Sequence, residues 1–298
     1  MDLHSTPSAT VGVRDELLAE VEALQARWRA AGIKPTPKIE QPTRLFLPGL
    51  TDIMRAMPNH IARSSLFAPV APGRKKIYKD KVLVSRSDAI IKFWGEQLDE
   101  SQADVWMQAM YEARKYPLGE RIIFKRAAFL RAIGRHTGNY EYKWLHRALL
   151  ALSFAMIVIE VRTRDGKLKL GIDPTRALHL IDKFDFEDGT YAIRIDPRWH
   201  AMYSNSEFAM VDWNKRLQFG LHQDMAKALQ RLVATSSDPE QRNALDWLKS
   251  KLEYTGRKTD FEDAISRAMN ELVRLEIIRD GRIEVSSKGR TQAVWTKL

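Results

Sequence analysis

The 298-residue chain has no cysteine at all. Disulfide staples and thiolate metal sites are therefore excluded, and a reducing cytoplasm is the expected setting. No stretch approaches the run of about 18 consecutive apolar residues that a membrane-crossing helix requires. The first residues, MDLHSTPSATVGVRDE, lack the apolar centre of an export signal. The Gly-x4-Gly-Lys-Ser/Thr loop that cradles a nucleoside triphosphate is missing, so no NTP hydrolysis is expected. His-x-x-x-His pairs and Cys clusters are missing too, which argues against zinc hydrolases and nicking enzymes. The acidic group Asp182, Asp185, Glu187 and Asp188 lacks the spacing of a calcium loop and reads as a solvated loop. His60 and Arg63 echo a recombinase His-x-x-Arg, but one four-residue match carries little weight. These absences describe a non-enzymatic chain without metal or cofactor, located in the cytoplasm and away from membranes.

Positive charge is what the chain has in excess: the formal net charge is +10, and 44% of residues are hydrophobic. The excess is uneven. Residues 51–148 hold 18 Lys and Arg against 10 Asp and Glu, while residues 221–298 hold 14 against 12. A basic surface of this kind raises affinity for phosphate polyanions and releases their counterions, though it also serves plain solubility.

Apolar spacing predicts a helix over 12–31, with Leu17, Leu18, Val21, Leu24 and Trp28 on one stripe. A stretch with four prolines follows and reads as an extended linker. Residues 1–50 are thus expected to form a helical and flexible N-terminal segment. The length of the remainder suits two further domains, 51–205 and 206–298.

A repeat gives those two domains their shape. His136-Thr137-Gly138, a helix pattern through Leu145, Ala148, Leu149 and Leu152, and Arg164-Asp165-Gly166-Lys167 follow one another in the first half. In the second half the order recurs as Tyr254-Thr255-Gly256, then Ile265, Ala268, Met269 and Leu272, then Arg279-Asp280-Gly281-Arg282. A helix pattern precedes each Thr-Gly, and Asp-Gly between apolar alternations is a hairpin signal. Helix, Gly-containing turn, helix and hairpin is the order of a winged helix-turn-helix, whose second helix enters a major groove. The expected fold is α+β: two tandem winged helix-turn-helix domains behind the N-terminal segment.

Candidate contacts to double-stranded DNA follow from that frame. In the second domain, Arg257, Lys258 and Thr259 stand where the helix begins, placing cations and a hydroxyl near phosphates. Ser266, Arg267, Asn270 and Arg274 lie opposite its apolar stripe, and Arg and Asn have forked groups that pair with guanine and adenine edges. Arg279 and Arg282 flank its hairpin turn. In the first domain the candidates are Arg135, His136, Thr137, Asn139, Tyr140, Lys143 and Arg147, with Arg164 and Lys167 at the hairpin. The apolar edge of that first hairpin serves equally well for pairing with a second subunit.

Beyond these patterns, IMRAMPNHIARSSLF (53–67), the basic GRKKIYKDKVLV after it, and YPLGERIIF (116–124) resemble TrfA-type plasmid replication initiators. The resemblance covers about residues 41–298, closer in the first half than in the second. It implies an iteron-binding Rep protein that recognises direct repeats at a plasmid origin, promotes origin opening, and works with the host replication initiator and replicative helicase. It also implies a homodimer in equilibrium with an active monomer, and copy control. TrfA carries a sliding-clamp motif upstream of this region. Here Gln41, Leu45 and Phe46 keep its first and last positions with one extra residue between, and either touch a clamp or anchor the linker. The competing expectation is a dimeric winged-helix transcriptional regulator on an inverted repeat; a nuclease or recombinase ranks third.

Overall fold

The computed structural model describes residues 47, 52–71, 73–85, 87–162, 168–171, 178–203 and 208–298, with only backbone described for 162 and 168–171. The expected helix over 12–31, the linker, Gln41, Leu45 and Phe46, and the hairpin residues Arg164 and Lys167 lie outside them. So does the expected domain boundary at 205/206.

The first half opens with strand β1 (Met54–Pro58), β2 (Phe67–Ala68), β3 (Ile77–Val82), β4 (Ala89–Glu96) and β5 (Leu98–Asp99). Helix α1 (Glu100–Ala113) follows at a capping box. Asp99 accepts from the Gln102 amide at 2.9 Å, and the Gln102 side chain accepts from the Asp99 amide at 2.9 Å, so two orphan donors are satisfied reciprocally. Next come β6 (Arg121–Lys125), α2 (Arg126–Ala132), α3 (Asn139–Phe154), β7 (Met156–Arg162), β8 (Leu168–Gly171) and β9 (Leu178–His179). The half closes with β10 (Lys183–Glu187) and β11 (Thr190–Arg194). β11 lies between β10 and β6, both antiparallel to it. Strands β3, β4, β7 and β8 form a separate sheet, in which β9 also pairs with β7.

Strand β12 (Phe208–Asp212) returns to pair antiparallel with β1. The second half then runs α4 (Asp224–Val233), β13 (Glu240–Ala244), α5 (Leu245–Lys251), α6 (Lys258–Arg274), β14 (Ile278–Val285) and β15 (Thr291–Lys297). β15 lies between β13 and β14. Helix, strand, helix, turn, helix and hairpin therefore occur twice, and each time the hairpin's last strand pairs with the strand before the helix pair. In the first half β7, β8 and β9 interrupt the series.

The second hairpin is not where the repeat placed it. Asp280 (φ 56°) and Gly281 lie inside β14, at a register slip between Arg279 and Arg282. An extra residue in one strand is absorbed there as a bulge rather than a reversal. Glycine is needed for closeness, because an added Cβ would meet the Met269 side chain of α6 at 3.0 Å. The chain reverses instead between Ser286 and Arg290, where Gly289 has φ 70°. In the first half β7 and β8 do pair, but within the separate sheet. The hairpin equivalent to β14–β15 is β10–β11, turning at Asp188-Gly189 with φ 45° and 75°. A two-residue turn with both φ positive matches the twist of paired strands. The expected solvated loop is thus a hairpin whose Phe184 and Phe186 alternate with acidic residues, and Asp185 pairs with Arg121 at 3.2 Å.

Two apolar cores result. The first packs Trp106 edge-to-face on Trp199 at 5.1 Å and extends to Trp213. The second begins at Phe219 and gathers the α6 stripe Phe261, Ile265, Ala268, Met269, Leu272 and Leu275 against Leu248 and Trp295.

A buried ionic cluster joins the two. Glu100 of α1, with no exposed surface, receives Arg231 of α4 and Arg216 (3.0 Å) from the short helix Trp213–Arg216. Arg216 also reaches Asp104 at 2.7 Å, and Lys227 reaches Asp104 at 3.0 Å. Burial pushes the Asp104 carboxyl upward, but Arg216 and Lys227 outweigh it and hold it below the ordinary value. Removing one member would leave an uncompensated charge, at a cost of about 3–5 kcal/mol.

Lys251, also fully buried, donates to the Ser64 carbonyl at 3.2 Å. Burial, with Arg231 adding repulsion, lowers its pKa from 10.5 to about 7. Between those values the unfolded chain binds a proton that the folded chain does not, so stability from this group rises with pH. Thermal melts should accordingly show wild-type Tm gaining on Lys251→Met as pH rises from 7 to 9. Parallel pH profiles would mean that Lys251 keeps its ordinary pKa in the fold.

Candidate nucleic-acid interface

In the second half the turn between α5 and α6 is tight. Glu253 adopts φ 51°, and Tyr254 packs on Phe261 with ring centroids 5.1 Å apart. A Cβ at Gly256 would lie 2.7 Å from the Tyr254 ring, so any other residue there would have to displace that ring. The turn releases the chain into α6 with Arg257, Lys258 and Thr259 exposed. No side chain caps α6, so its first amides keep their capacity to meet an anion.

The outward face of α6 carries Arg267 and Asn270, both exposed and with no hydrogen-bond or ion-pair partner among the described residues. Arg257 pairs with Asp260 at 3.1 Å, and Arg274 with Glu271 at 2.5 Å. Ser266 is half-buried, and its hydroxyl donates to the Glu262 carbonyl at 2.9 Å. Its proton is thereby engaged by its own helix, a bond that Ser commonly makes to the carbonyl one turn back. On β14, Arg282 pairs with Glu284 at 2.9 Å, while Arg279 is exposed beside Asp280 at 3.9 Å. Neither stands at the hairpin tip. Lys288 and Arg290 do, both exposed. The Ser-Ser-Lys-Gly-Arg string was the signal for them, masked by the Asp-Gly eight residues earlier.

In the first half, His136, Thr137, Asn139, Tyr140, Lys143 and Arg147 are exposed along the start and outer face of α3. Arg135 is committed elsewhere. Its guanidinium stacks 3.6 Å over Trp144, and its Nε donates to Glu141 at 2.6 Å, bracing the turn.

Between α3 and the β10–β11 hairpin lies an open groove lined by Tyr142, Lys143, His146, Arg147, Phe186 and Tyr191, with Arg126 and Asn139 at its end. Arg126 sits 3.8 Å over the Tyr142 ring, and His146 Nδ1 lies 3.0 Å from the Tyr191 hydroxyl. Burial pushes the Tyr191 phenol up to about 12, so it stays protonated. Arg126, His146, Phe186 and Tyr191 escaped the reading of the sequence because the hairpin that completes the groove was placed at 161–170.

Each half therefore presents an exposed, cation-bearing helix beside a hairpin. Among the described residues, no group of three or more acidic or histidine side chains is arranged to hold a metal ion, and no helix is long and apolar enough to cross a membrane.

No protein-family model matches the chain, and no curated protein sequence does. Solved structures do. A crystal structure of domains 2 and 3 of RctB aligns with a TM-score of 0.53 at 11% identity, covering 81% of this chain and 98% of that one. A second crystal structure of RctB domains 2–3 aligns with a TM-score of 0.49 at 12% identity, covering 80% and 97%. At this identity the first match shows a shared fold of mixed helices and small sheets.

If α6 reads base edges, Arg267→Ala should cost about 1–3 kcal/mol at one base position and relax preference there. Arg257→Ala should weaken all duplexes alike and flatten the salt dependence. Ser266→Ala should change neither. Competition binding against a panel of single-base variants at two salt concentrations separates these outcomes, and a uniform loss from Arg267→Ala would reduce it to a phosphate contact.

Proposed function

We propose that the chain is a sequence-specific double-stranded DNA-binding protein that initiates plasmid replication at directly repeated origin sites. It is read as two tandem winged helix-turn-helix domains, 51–205 and 206–298. The observation that carries this is the duplicated series α1-β6-α2-α3-β10-β11 and α4-β13-α5-α6-β14-β15. In both, the second helix of the pair turns exposed polar and basic residues outward beside a hairpin. One such unit reads a half-site; two in one chain suit an asymmetric direct repeat without requiring a symmetric dimer.

The step from DNA binding to replication rests on the TrfA-type strings at 53–67 and 116–124. With it come origin opening, recruitment of the host initiator and replicative helicase, a monomer–dimer equilibrium, copy control and a cytoplasmic site of action. The chain is proposed to act without enzymatic activity, metal or cofactor, borrowing its motor from the host. A clamp contact through Gln41, Leu45 and Phe46 belongs to the same proposal.

The test begins with a site selected from random duplexes by the purified full-length protein. Binding is then compared on four direct copies, one inverted pair and a scrambled control, with stoichiometry from analytical ultracentrifugation. One monomer per direct copy is expected. A single dimer on the inverted pair, with no preference for direct copies, would replace this reading with that of a transcriptional regulator.

A further inference from the structure

Strand β3 has no part in the helix–hairpin series, yet it reaches the second helix-turn-helix. Glu253, in the turn that leads into α6, accepts from the Tyr78 hydroxyl of β3 and from Gln97 Nε2 at 2.9 Å. Gln97 also closes the root of the β3–β4 hairpin: its amide donates to the Lys76 carbonyl at 2.8 Å, and its Oε1 accepts from the Lys76 amide at 3.3 Å. Tyr78 is seated edge-on against the buried Phe93 at 6.1 Å. Burial and the Glu253 carboxylate both raise the pKa of its phenol, which therefore remains a donor. The β3 edge is thus tied to the turn five residues before α6 begins.

The same edge is charged in one sign. Arg74, Lys76, Lys79 and Lys81 are exposed, and the acidic residue among them, Asp80, is spent on Lys92 at 3.2 Å. Asp80 has φ 53° and sits at a register slip between Tyr78 and Lys81. Without the bulge, residues three apart would point to opposite faces. With it, Lys81 shares the face of Tyr78, its Nζ 5.8 Å from the Tyr78 ring. β3 is also the outer strand of its sheet, where charged side chains and a bulge discourage pairing with another strand.

We propose that the β3 edge is a third phosphate-binding surface, which grips the DNA backbone next to the segment entered by α6, through Lys79 and Lys81. The proposal rests on the reading that α6 enters a duplex. Its occupant is the flanking DNA backbone, chosen by charge complementarity and by the Tyr78–Glu253–Gln97 tie to the turn before α6. The edge adds length to the footprint and salt dependence to the affinity while reading no bases.

The test uses the full chain and the selected site placed at the centre of a long duplex, or in short duplexes trimmed on either flank. Each phosphate contact contributes about 0.9 to the slope of log affinity against log salt. Wild type should show a slope steeper by about 2 on the long duplex than on the duplex lacking the gripped flank. Lys79→Ala/Lys81→Ala should lose that difference and keep its base preferences. Because the chain has no native cysteine, Lys79→Cys carrying an iron–EDTA group provides a second readout, with strand scission expected on that flank alone. A double variant with the wild-type slope, a change in sedimentation without a change in slope, or scission elsewhere would each overturn the proposal. A wild-type protein that does not distinguish its selected site from a scrambled duplex would instead overturn the underlying reading of α6.

Discussion

One buried carboxylate is central to how the second half is held against the first. Glu100 stands in the first turn of α1, where the helix dipole favours a negative charge, and it receives guanidinium groups from both Arg216 and Arg231. Asp104, one turn on, takes Arg216 from the other side together with Lys227. Buried ion pairs add little net stability relative to a well-packed apolar contact, but their forked geometry tolerates few arrangements and the loss of one partner is costly. α4 is therefore held at one angle to α1. Everything that follows α4, including α6 and its exposed face, inherits that angle.

Further constraints act on the same joint. The pairing of β1 with β12 returns the chain to the first half just before the second begins, and Lys251 carries the end of α5 to the Ser64 carbonyl. The Tyr78–Glu253–Gln97 contact adds a polar tie at the surface. Each of these links spans more than a hundred residues of sequence, so the relation between the two exposed helices is a tertiary property. The strands β7, β8 and β9 that interrupt the first half complete the sheet whose outer member, β3, meets the turn between α5 and α6.

Around the two exposed helices, several of the candidate arginines are already paired. Arg135, Arg257, Arg274 and Arg282 are engaged with carboxylates, and Arg135 is also stacked on Trp144. Exposed pairs of this kind are weak, typically about 0–1 kcal/mol. A phosphate can displace Asp260 from Arg257 at small cost, whereas Arg135, bound on two sides, is a brace. Arg267 and Asn270, exposed and without a partner among the described residues, need no such exchange.

Residues with local determinants were legible in the sequence. The period of Phe261, Ile265, Ala268, Met269, Leu272 and Leu275 placed the buried face of α6, and therefore Arg267 and Asn270 opposite it, because a helix settles its own periodicity. The tight Gly256 turn and the order helix–turn–helix were readable for the same reason. The β7–β8 pairing was legible too, but the turn of the second hairpin and the identity of the hairpin beside α3 were not. The chain holds three Asp-Gly pairs, at 165–166, 188–189 and 280–281. Such a pair permits positive φ without deciding whether the result is a reversal, as at 188–189, or a bulge, as at 280–281. That choice depends on which distant strand supplies the ladder: β6 for β11, and β13 for β15. The groove with Arg126, His146, Phe186 and Tyr191 and the approach of β3 to the second turn were likewise decided by contacts remote in sequence. Sequence determined which segments form helices and which faces they bury; pairing between remote strands and one buried carboxylate decided what stands beside them.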